Sequence, residues 1–252
     1  MWGLPCKKIR QGSDEFHVML IGSILNEANS NTVVAGAGFI KEESFLQKFP
    51  RILSVRGKKT LNKLQKLGVD ISNIETGDPA ILIPDYYQPS VDAKKYKIGI
   101  VPHIVDTEKV NNVLGNTEVV KVIDLRLKSL DSAEEIEKII EEICSCERII
   151  SSSLHGLIIA HAYGIPGAWC EFSDGVIGNG FKFKDYYSSY GIEENIGPID
   201  LRDLENPDTL SRIIDESHFL LPDTNQEKIK MRSVIKNLYD YIYDNKKMYF
   251  HI

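Results

Sequence analysis

The polar stretch SSSLHG, residues 151–156, stands between two apolar runs and carries the residue types best suited to chemistry. A serine at a helix N-cap, here Ser152 or Ser153, accepts a hydrogen bond from a first-turn N–H, and the other N–H groups with the helix dipole favour an anion. His155 falls in the same turn, where it can donate to a phosphate or carboxylate or transfer a proton near neutral pH. The stretch indicates an anion site, and a serine cap beside a histidine bonded to backbone is the alternative.

The elements that position this stretch are a strand and a helix. RIISS reads as a buried strand, and LHGLIIAHAYG reads as a helix that Gly164 ends. Ligands of open α/β sheets collect outside the carboxyl ends of the strands. The stretch is therefore expected at the edge of a site.

Apolar runs that end in turn residues alternate with amphipathic runs along the chain, which predicts an α/β fold with mostly parallel sheets. The other predicted strands are HVMLIGS, NTVVAGAGFI, RILSVRG, GDPAILIP, YKIGIVPH, EVVKVIDL and GAWCEFS. KKTLNKLQKLGV reads as a helix, and SAEEIEKIIEEIC as another with Ser132 and Glu135 as a capping box. A long helix from about Asn225 has apolar positions at Ile229, Val234, Leu238 and Ile242.

A change of composition divides the chain. Residues 84–96, PDYYQPSVDAKKY, have two prolines and no periodicity, so they are the best candidate linker. We predict an N-terminal domain over 1–90, a C-terminal domain over 91–224, and a terminal helix over 225–252 that packs back on the first domain.

Composition excludes several classes of function. The formal net charge of −6 and the pI near 5.6 argue against a nucleic-acid or anionic-lipid surface. The sequence has no apolar run long enough for a transmembrane segment and no secretory signal, so we expect a cytoplasmic protein. The four cysteines match no zinc spacing, and neither a bound metal nor a cofactor is predicted.

Several motifs in order resemble the polysaccharide pyruvyltransferase family. SSSLHGLIIAHAYGIP is similar to the family signature Ser-x-Arg-Leu-His-Gly-x-x-x-Ala-x-x-x-Gly-Ile-Pro, and VVAGAGFI to its glycine loop. LSVRGKKTLNKLQKLGV, ETGDPAILIP, IGIVPHIVD and GFKFKDYYSSYGI resemble later segments. The resemblance covers about residues 18–192 and points to an exopolysaccharide-type member with a shortened N-terminus.

The resemblance implies two Rossmann-like domains that face each other across a cleft, the GT-B-like arrangement. It also implies transfer of a pyruvyl group from phosphoenolpyruvate to a saccharide or lipid-linked saccharide, which forms a ketal. Arg56, His155 and Lys182 match the family's donor-binding residues, with Ser152 and Ser153 beside them. Arg56 is expected from the first domain and the other two from the second, so that closing the cleft assembles the site and excludes water.

The base that activates the acceptor has two candidates in the loop after YKIGIV, namely His103 and Asp106. A loop histidine bonded to backbone and an aspartate that caps a helix are the alternatives for these residues. His155 is a candidate acid or phosphate clamp.

Two departures from the pattern leave other functions open. Ser153 replaces the arginine of the signature, and the family's Asn-x-Gly-Asp segment is missing ahead of HVMLIGS, on the acceptor side. The alternatives are a nucleotide-sugar glycosyltransferase of the same fold and a catalytically silent sugar- or anion-binding relative. The sequence does not predict the acceptor sugar or the oligomeric state.

Overall fold

The structure is a computed structural model that describes residues 14–90, 93–115, 117–129, 132–207, 209–210 and 214–249, with side chains described to residue 244. Its strands are β1 (His17–Met19), β2 (Thr32–Ala35), β3 (Arg51–Val55), β4 (Glu75–Thr76), β5 (Tyr96–Val101), β6 (Val120–Val122), β7 (Cys146–Ser151), β8 (Gly167–Glu171) and β9 (Ile199–Asp200). Its α-helices are α1 (Lys58–Lys66), α2 (Thr107–Val113), α3 (Ala133–Cys144), α4 (Leu154–Ala162), α5 (Phe181–Ser188) and α6 (Asn225–Tyr249). The predicted α/β class with parallel sheets is confirmed.

The described residues divide into two compact units. The first holds residues 14–82, 180–194 and 224–249, and the second holds the described parts of 83–179 and 195–223. The chain leaves the first unit near residue 82, close to the predicted linker, and returns to it at 180–194. Our sequence-based division assigned that returning segment to the second domain, which is wrong.

The first unit is built on a parallel sheet of order β1-β2-β3-β4. Apolar residues of the strands and of α1 form its core, including Val34, Val55 and Leu64. Helix α6 packs against β2, β3 and β4. Its buried apolar positions are Met231, Val234 and Leu238, whereas Ile229, predicted on this face, is exposed.

The second unit has a parallel sheet of order β6-β5-β7-β8-β9. Its strands are apolar because helices cover such sheets, as Ile100, Ile150 and Cys170 show by their complete burial. Ser132 caps α3 by accepting from Glu135 N at 3.2 Å. The Glu135 carboxylate bonds to the N–H groups of Lys128 and Ser129 instead of Ser132, so only half of the predicted capping box forms.

One predicted strand is wrong. GDPAILIP forms a 3₁₀ helix over Pro79–Asp85, and the strand lies just before it, at Glu75–Thr76. Asp78 Oδ1 accepts from Ala80 N at 3.0 Å, which turns the backbone away from the sheet. A short apolar run does not by itself distinguish a strand from a buried turn of helix.

Across the residues that the structure describes, no helix combines the length and the apolar character that a membrane crossing requires.

Candidate functional site

The candidate site of the second unit lies at the carboxyl edge of its sheet. The strand order reverses between β5 and β7, because the chain runs from β5 to β6 on one side and then to β7 on the other. Val101 pairs with Ser151 at the ends of these two strands. Ligands of open α/β sheets bind at such a switch point. The loop with His103 and the SSSLHG stretch both begin there.

Hydrogen bonds join the two loops through Ser152. Its hydroxyl accepts from His103 N at 2.8 Å and donates to Asp106 Oδ2 at 2.9 Å. Ser152 and Asp106 are each 1% exposed, whereas the His103 side chain is half-buried. The structure thus brings three predicted site residues together through a series of hydrogen bonds that ends on the buried carboxylate of Asp106.

A third strand end reaches the same carboxylate. The Ser173 hydroxyl, just after β8, donates to Asp106 Oδ1. Ser173 was not among the predicted site residues, although it is the last residue of the predicted strand GAWCEFS, at the same edge. With both oxygens bonded to hydroxyls and the side chain enclosed, Asp106 links the segments that follow three neighbouring strands.

His155 is the second residue of α4 and is half-buried. Ser153 occupies the N-cap position with extended backbone, but its side chain makes no capping bond. The Ser152 hydroxyl is committed to Asp106, so the predicted serine cap is wrong. The first-turn N–H groups of α4 therefore lack a serine cap.

An electrostatic feature of this edge is the carboxyl of Glu171 at the end of β8. Burial raises the pKa of Glu171, and the nearby carboxylates of Asp200, Asp174 and Asp106 raise it further, while Arg202 lowers it. The Cys170 thiol beside it is buried, and its pKa is raised well above the ordinary value. Acidic side chains lie near Glu171 at the end of β8, while His103 belongs to the loop after β5 and His155 to the first turn of α4.

Arg56 lies in the first unit, directly after β3. Its guanidinium is completely buried and forms an ion pair with Asp185 Oδ2, at 3.0 Å from Nε and 2.8 Å from Nη2. Nη1 donates to Ser23 Oγ at 2.7 Å and Nη2 to Phe39 O at 2.7 Å. All three guanidinium nitrogens are thus engaged inside the unit, and the donor-binding role of Arg56 stays a prediction.

Lys182 also belongs to the first unit, because it lies on α5. The prediction that it comes from the second domain is wrong, and the reason is packing, since Phe181 enters the core of the first unit. The Lys182 ammonium lies 5.4 Å from the ring centroid of Phe183, and the residue is 7% exposed. Its role as a ligand of the donor substrate stays a prediction.

Asp185 is the partner that sequence reasoning missed. It lies 129 residues from Arg56, so no local pattern joins the two. The only signal is its place in FKFKDYYSS, three residues after Lys182, within a segment already noted for the resemblance.

Two buried acidic residues lie next to each other in the first unit, where α6 begins. Glu227 Oε1 accepts from Asp78 N at 2.9 Å, and the two residues are 5% and 0% exposed. The pKa of Glu227 is raised to about 8, mainly by burial and in smaller part by the Asp78 carboxylate, while the hydrogen bond from Asp78 N lowers it. The Glu227 carboxyl is therefore largely protonated at neutral pH.

No group of three or more histidine, cysteine or acidic side chains suited to a metal ion occurs within the described ranges.

Two curated proteins are similar to this chain. An uncharacterized protein, L143, of Acanthamoeba polyphaga mimivirus is 34% identical over 182 residues, which are 71% of this chain and 62% of that protein. Succinoglycan biosynthesis protein ExoV of Rhizobium meliloti (strain 1021) is 26% identical over 203 residues, which are 76% of this chain and 59% of that protein. The aligned part thus spans about three fifths of each relative.

The model of the polysaccharide pyruvyl transferase family matches residues 11–174, more than half of the chain. The match includes the glycine loop, Arg56, the loop with His103 and the SSSLHG stretch, which is the order of motifs seen in the sequence. This chain belongs to the polysaccharide pyruvyl transferase family.

Proposed function

We propose that the protein transfers a pyruvyl group from phosphoenolpyruvate to a saccharide or lipid-linked saccharide, as a ketal, in the synthesis of an exopolysaccharide. The observation that carries the proposal is the meeting of His103, Ser152 and the start of α4, with His155 in its first turn, at the switch point of the second sheet. Membership of the family and the similarity to a succinoglycan biosynthesis protein support the same reaction class.

The start of α4 is the proposed anion site for the donor. Phosphoenolpyruvate carries a phosphate and a carboxylate, and both groups suit the positive end of a helix dipole. The Ser153 hydroxyl makes no capping bond, so it offers a further hydrogen-bond donor at the start of α4. His155 is placed to donate to the phosphate or to protonate the donor.

The proposed reaction starts when the methylene carbon of the donor takes a proton, which leaves an oxocarbenium-like centre. One sugar hydroxyl attacks this centre and loses its proton. Inorganic phosphate then leaves, and a second hydroxyl closes the ketal and loses its proton. One of the two released protons balances the proton taken up, and the other is carried by phosphate or solvent.

His103 is the proposed base for the acceptor hydroxyl, because its half-buried side chain lies at the edge while Asp106 is enclosed. Its Nδ1 accepts a long hydrogen bond from Val105 N at 3.4 Å, and this bond has to open for Nδ1 to take the proton. Asp106 acts through Ser152, which holds the backbone of His103. The buried free thiols Cys144, Cys146 and Cys170 suit a reducing compartment, so we propose the cytoplasm as the location. Lys182 stays a proposed donor ligand, and no cofactor is proposed.

The test is incubation with phosphoenolpyruvate and candidate glycans, read by phosphate release and by the added ketal mass. His155→Ala should reduce turnover by a factor of about 100 or more, as loss of a general acid or oxyanion donor does. His155→Gln keeps a hydrogen-bond donor but cannot transfer a proton, so it distinguishes a phosphate clamp from a general acid. If His155 is the acid, the variant should keep its affinity for phosphoenolpyruvate while turnover falls.

His218→Ala is the matched control, because His218 is an exposed histidine of the same unit. Wild-type turnover in His155→Ala would refute the proposed site. Binding of phosphoenolpyruvate without phosphate release from any glycan would favour a catalytically silent relative. Binding of nucleotide sugars alone would favour a glycosyltransferase.

A further inference from the structure

The buried carboxylate of Asp185 fills a set of donors that is suited to a substrate anion. Asp185 Oδ1 accepts from Thr60 N at 2.7 Å, and Oδ2 accepts from Thr60 Oγ1 at 2.7 Å and from Arg56 Nε at 3.0 Å. These donors are a guanidinium, a hydroxyl and an N–H of the first turn of α1. Together they are the groups that bind a carboxylate or phosphate. Here the protein supplies the anion itself.

Two glycines make room for this arrangement. A Cβ on Gly57 would lie 1.7 Å from Asp185 O, and a Cβ on Gly38 would lie 2.6 Å from Arg56 Nη2. Both distances are far shorter than van der Waals contact, so the backbone on two sides is shaped around the ion pair. The close fit leaves the guanidinium completely buried.

Further bonds attach α5 to the same turn. Ser188 Oγ accepts from Lys58 N at 2.8 Å, at the start of α1, and Ser189 Oγ donates to Arg56 O at 2.9 Å. Helix α1 begins after Gly57, which has no side chain, so α5 supplies its capping groups. Lys182 lies on α5 three residues before Asp185, on the same side of the helix.

We propose that Arg56 and Asp185 are positioning residues, which fix α5 and its Lys182 in the first unit, and that Arg56 does not contact the donor. A donor anion would have to displace Asp185 from a buried ion pair, which leaves an uncompensated buried charge. The ion pair determines where the Lys182 ammonium is held. The effect on phosphoenolpyruvate affinity rests on the proposed function, whereas the anchoring of α5 does not.

The main test compares Thr60→Val with Thr60→Ser. The Thr60 hydroxyl donates to Asp185 Oδ2 and accepts from Phe39 N at 3.2 Å. Valine removes both bonds and leaves both charges of the ion pair in place, whereas serine keeps the hydroxyl. Thr60→Val should raise the Kd for phosphoenolpyruvate about tenfold, in line with the loss of a hydrogen bond to a charged group. Thr60→Ser should stay close to wild type, and titration calorimetry measures both values.

The second test uses Arg56→Lys, Asp185→Asn and the double variant. Because both residues act through one ion pair, we expect each single variant to weaken phosphoenolpyruvate binding, and the double variant to bind no worse than the weaker single one. If Arg56 instead contacts the donor, Asp185→Asn would free the guanidinium. Unchanged or tighter binding in Asp185→Asn, with weaker binding in Arg56→Lys, overturns the proposal.

Hydrogen exchange separates this inference from the proposed function. Thr60→Val should increase the exchange of α5 amides and leave those of α4, in the other unit, unchanged. If the wild-type protein does not bind phosphoenolpyruvate, the proposed function fails, while faster exchange in α5 still supports the anchoring of this helix. Unchanged α5 exchange in Thr60→Val refutes the anchoring even if the donor binds.

Discussion

The buried carboxyl of Glu227 makes the stability of the first unit depend on pH, and Glu227→Gln should remove that dependence. Asp78 N donates to Glu227 Oε1 at 2.9 Å, and a glutamine carbonyl keeps this bond without a titrating proton. Burial is the main cause that raises the pKa of Glu227 from its ordinary value of 4.5 to about 8; the Asp78 carboxylate acts in the same direction, and the hydrogen bond from Asp78 N opposes it. Lys230 and Lys228 lower the pKa of Glu227, and the Glu227 carboxylate in turn raises the pKa of Tyr186.

The direction follows from proton binding. The folded protein keeps the Glu227 proton up to about pH 8, whereas the unfolded chain releases it near pH 4.5, so the free energy of unfolding falls across this window. Each pH unit corresponds to about 1.4 kcal/mol, which amounts to about 3 kcal/mol between pH 4.5 and pH 7. Glu227→Gln should therefore be more stable than wild type by about 3 kcal/mol at pH 7, and nearly equal to it at pH 4.5.

The assay is urea denaturation followed by circular dichroism at several pH values between 4.5 and 9. Asp240→Asn is the matched control, because it removes a carboxylate of the same helix at an exposed position and should change stability by less than about 0.5 kcal/mol. Parallel pH curves for wild type and Glu227→Gln would refute the reasoning, as would a glutamine variant that is less stable at pH 7.

Two further predictions concern packing and thiols. Gly57→Ala should lower the free energy of unfolding by about 2–3 kcal/mol, because its Cβ would meet Asp185 O, whereas Gly197→Ala has open space and should change little in a thermal melt. In a Cys6→Ser background, the thiols of Cys144, Cys146 and Cys170 should react with a disulfide reagent only after unfolding. The reason is that these thiols are buried and their pKa values are raised. Reaction in the native protein would contradict this prediction.

Much of the fold was predictable because parallel strands covered by helices are local apolar runs. Val33, Val34 and Ala35 mark β2 in the sequence, and they are fully or almost fully buried in the structure. The helix ends were predictable for a similar reason. Gly164 follows α4 with a φ of 71°, a left-handed conformation that glycine adopts easily and that ends the helix. The exception, GDPAILIP, shows that an apolar run of this length also suits a buried 3₁₀ helix.

The candidate site was predictable in part. SSSLHG and the loop with His103 follow neighbouring strands, so a parallel sheet brings them to one edge, as observed. The strand order, which places a switch point between β5 and β7, depends on which strands pair in the folded sheet. Neither segment alone encodes that pairing.

The sequence by itself determined most of the helices and strands, the turns that end them and the family, because these depend on runs of neighbouring residues and on motifs in order. Tertiary structure alone decided that residues 180–194 return to the first unit and that Asp185 meets Arg56 from 129 positions away. It also decided that Asp106 is enclosed by the hydroxyls of Ser152 and Ser173. A buried charge needs a partner, but which distant side chain supplies it depends on how the chain packs.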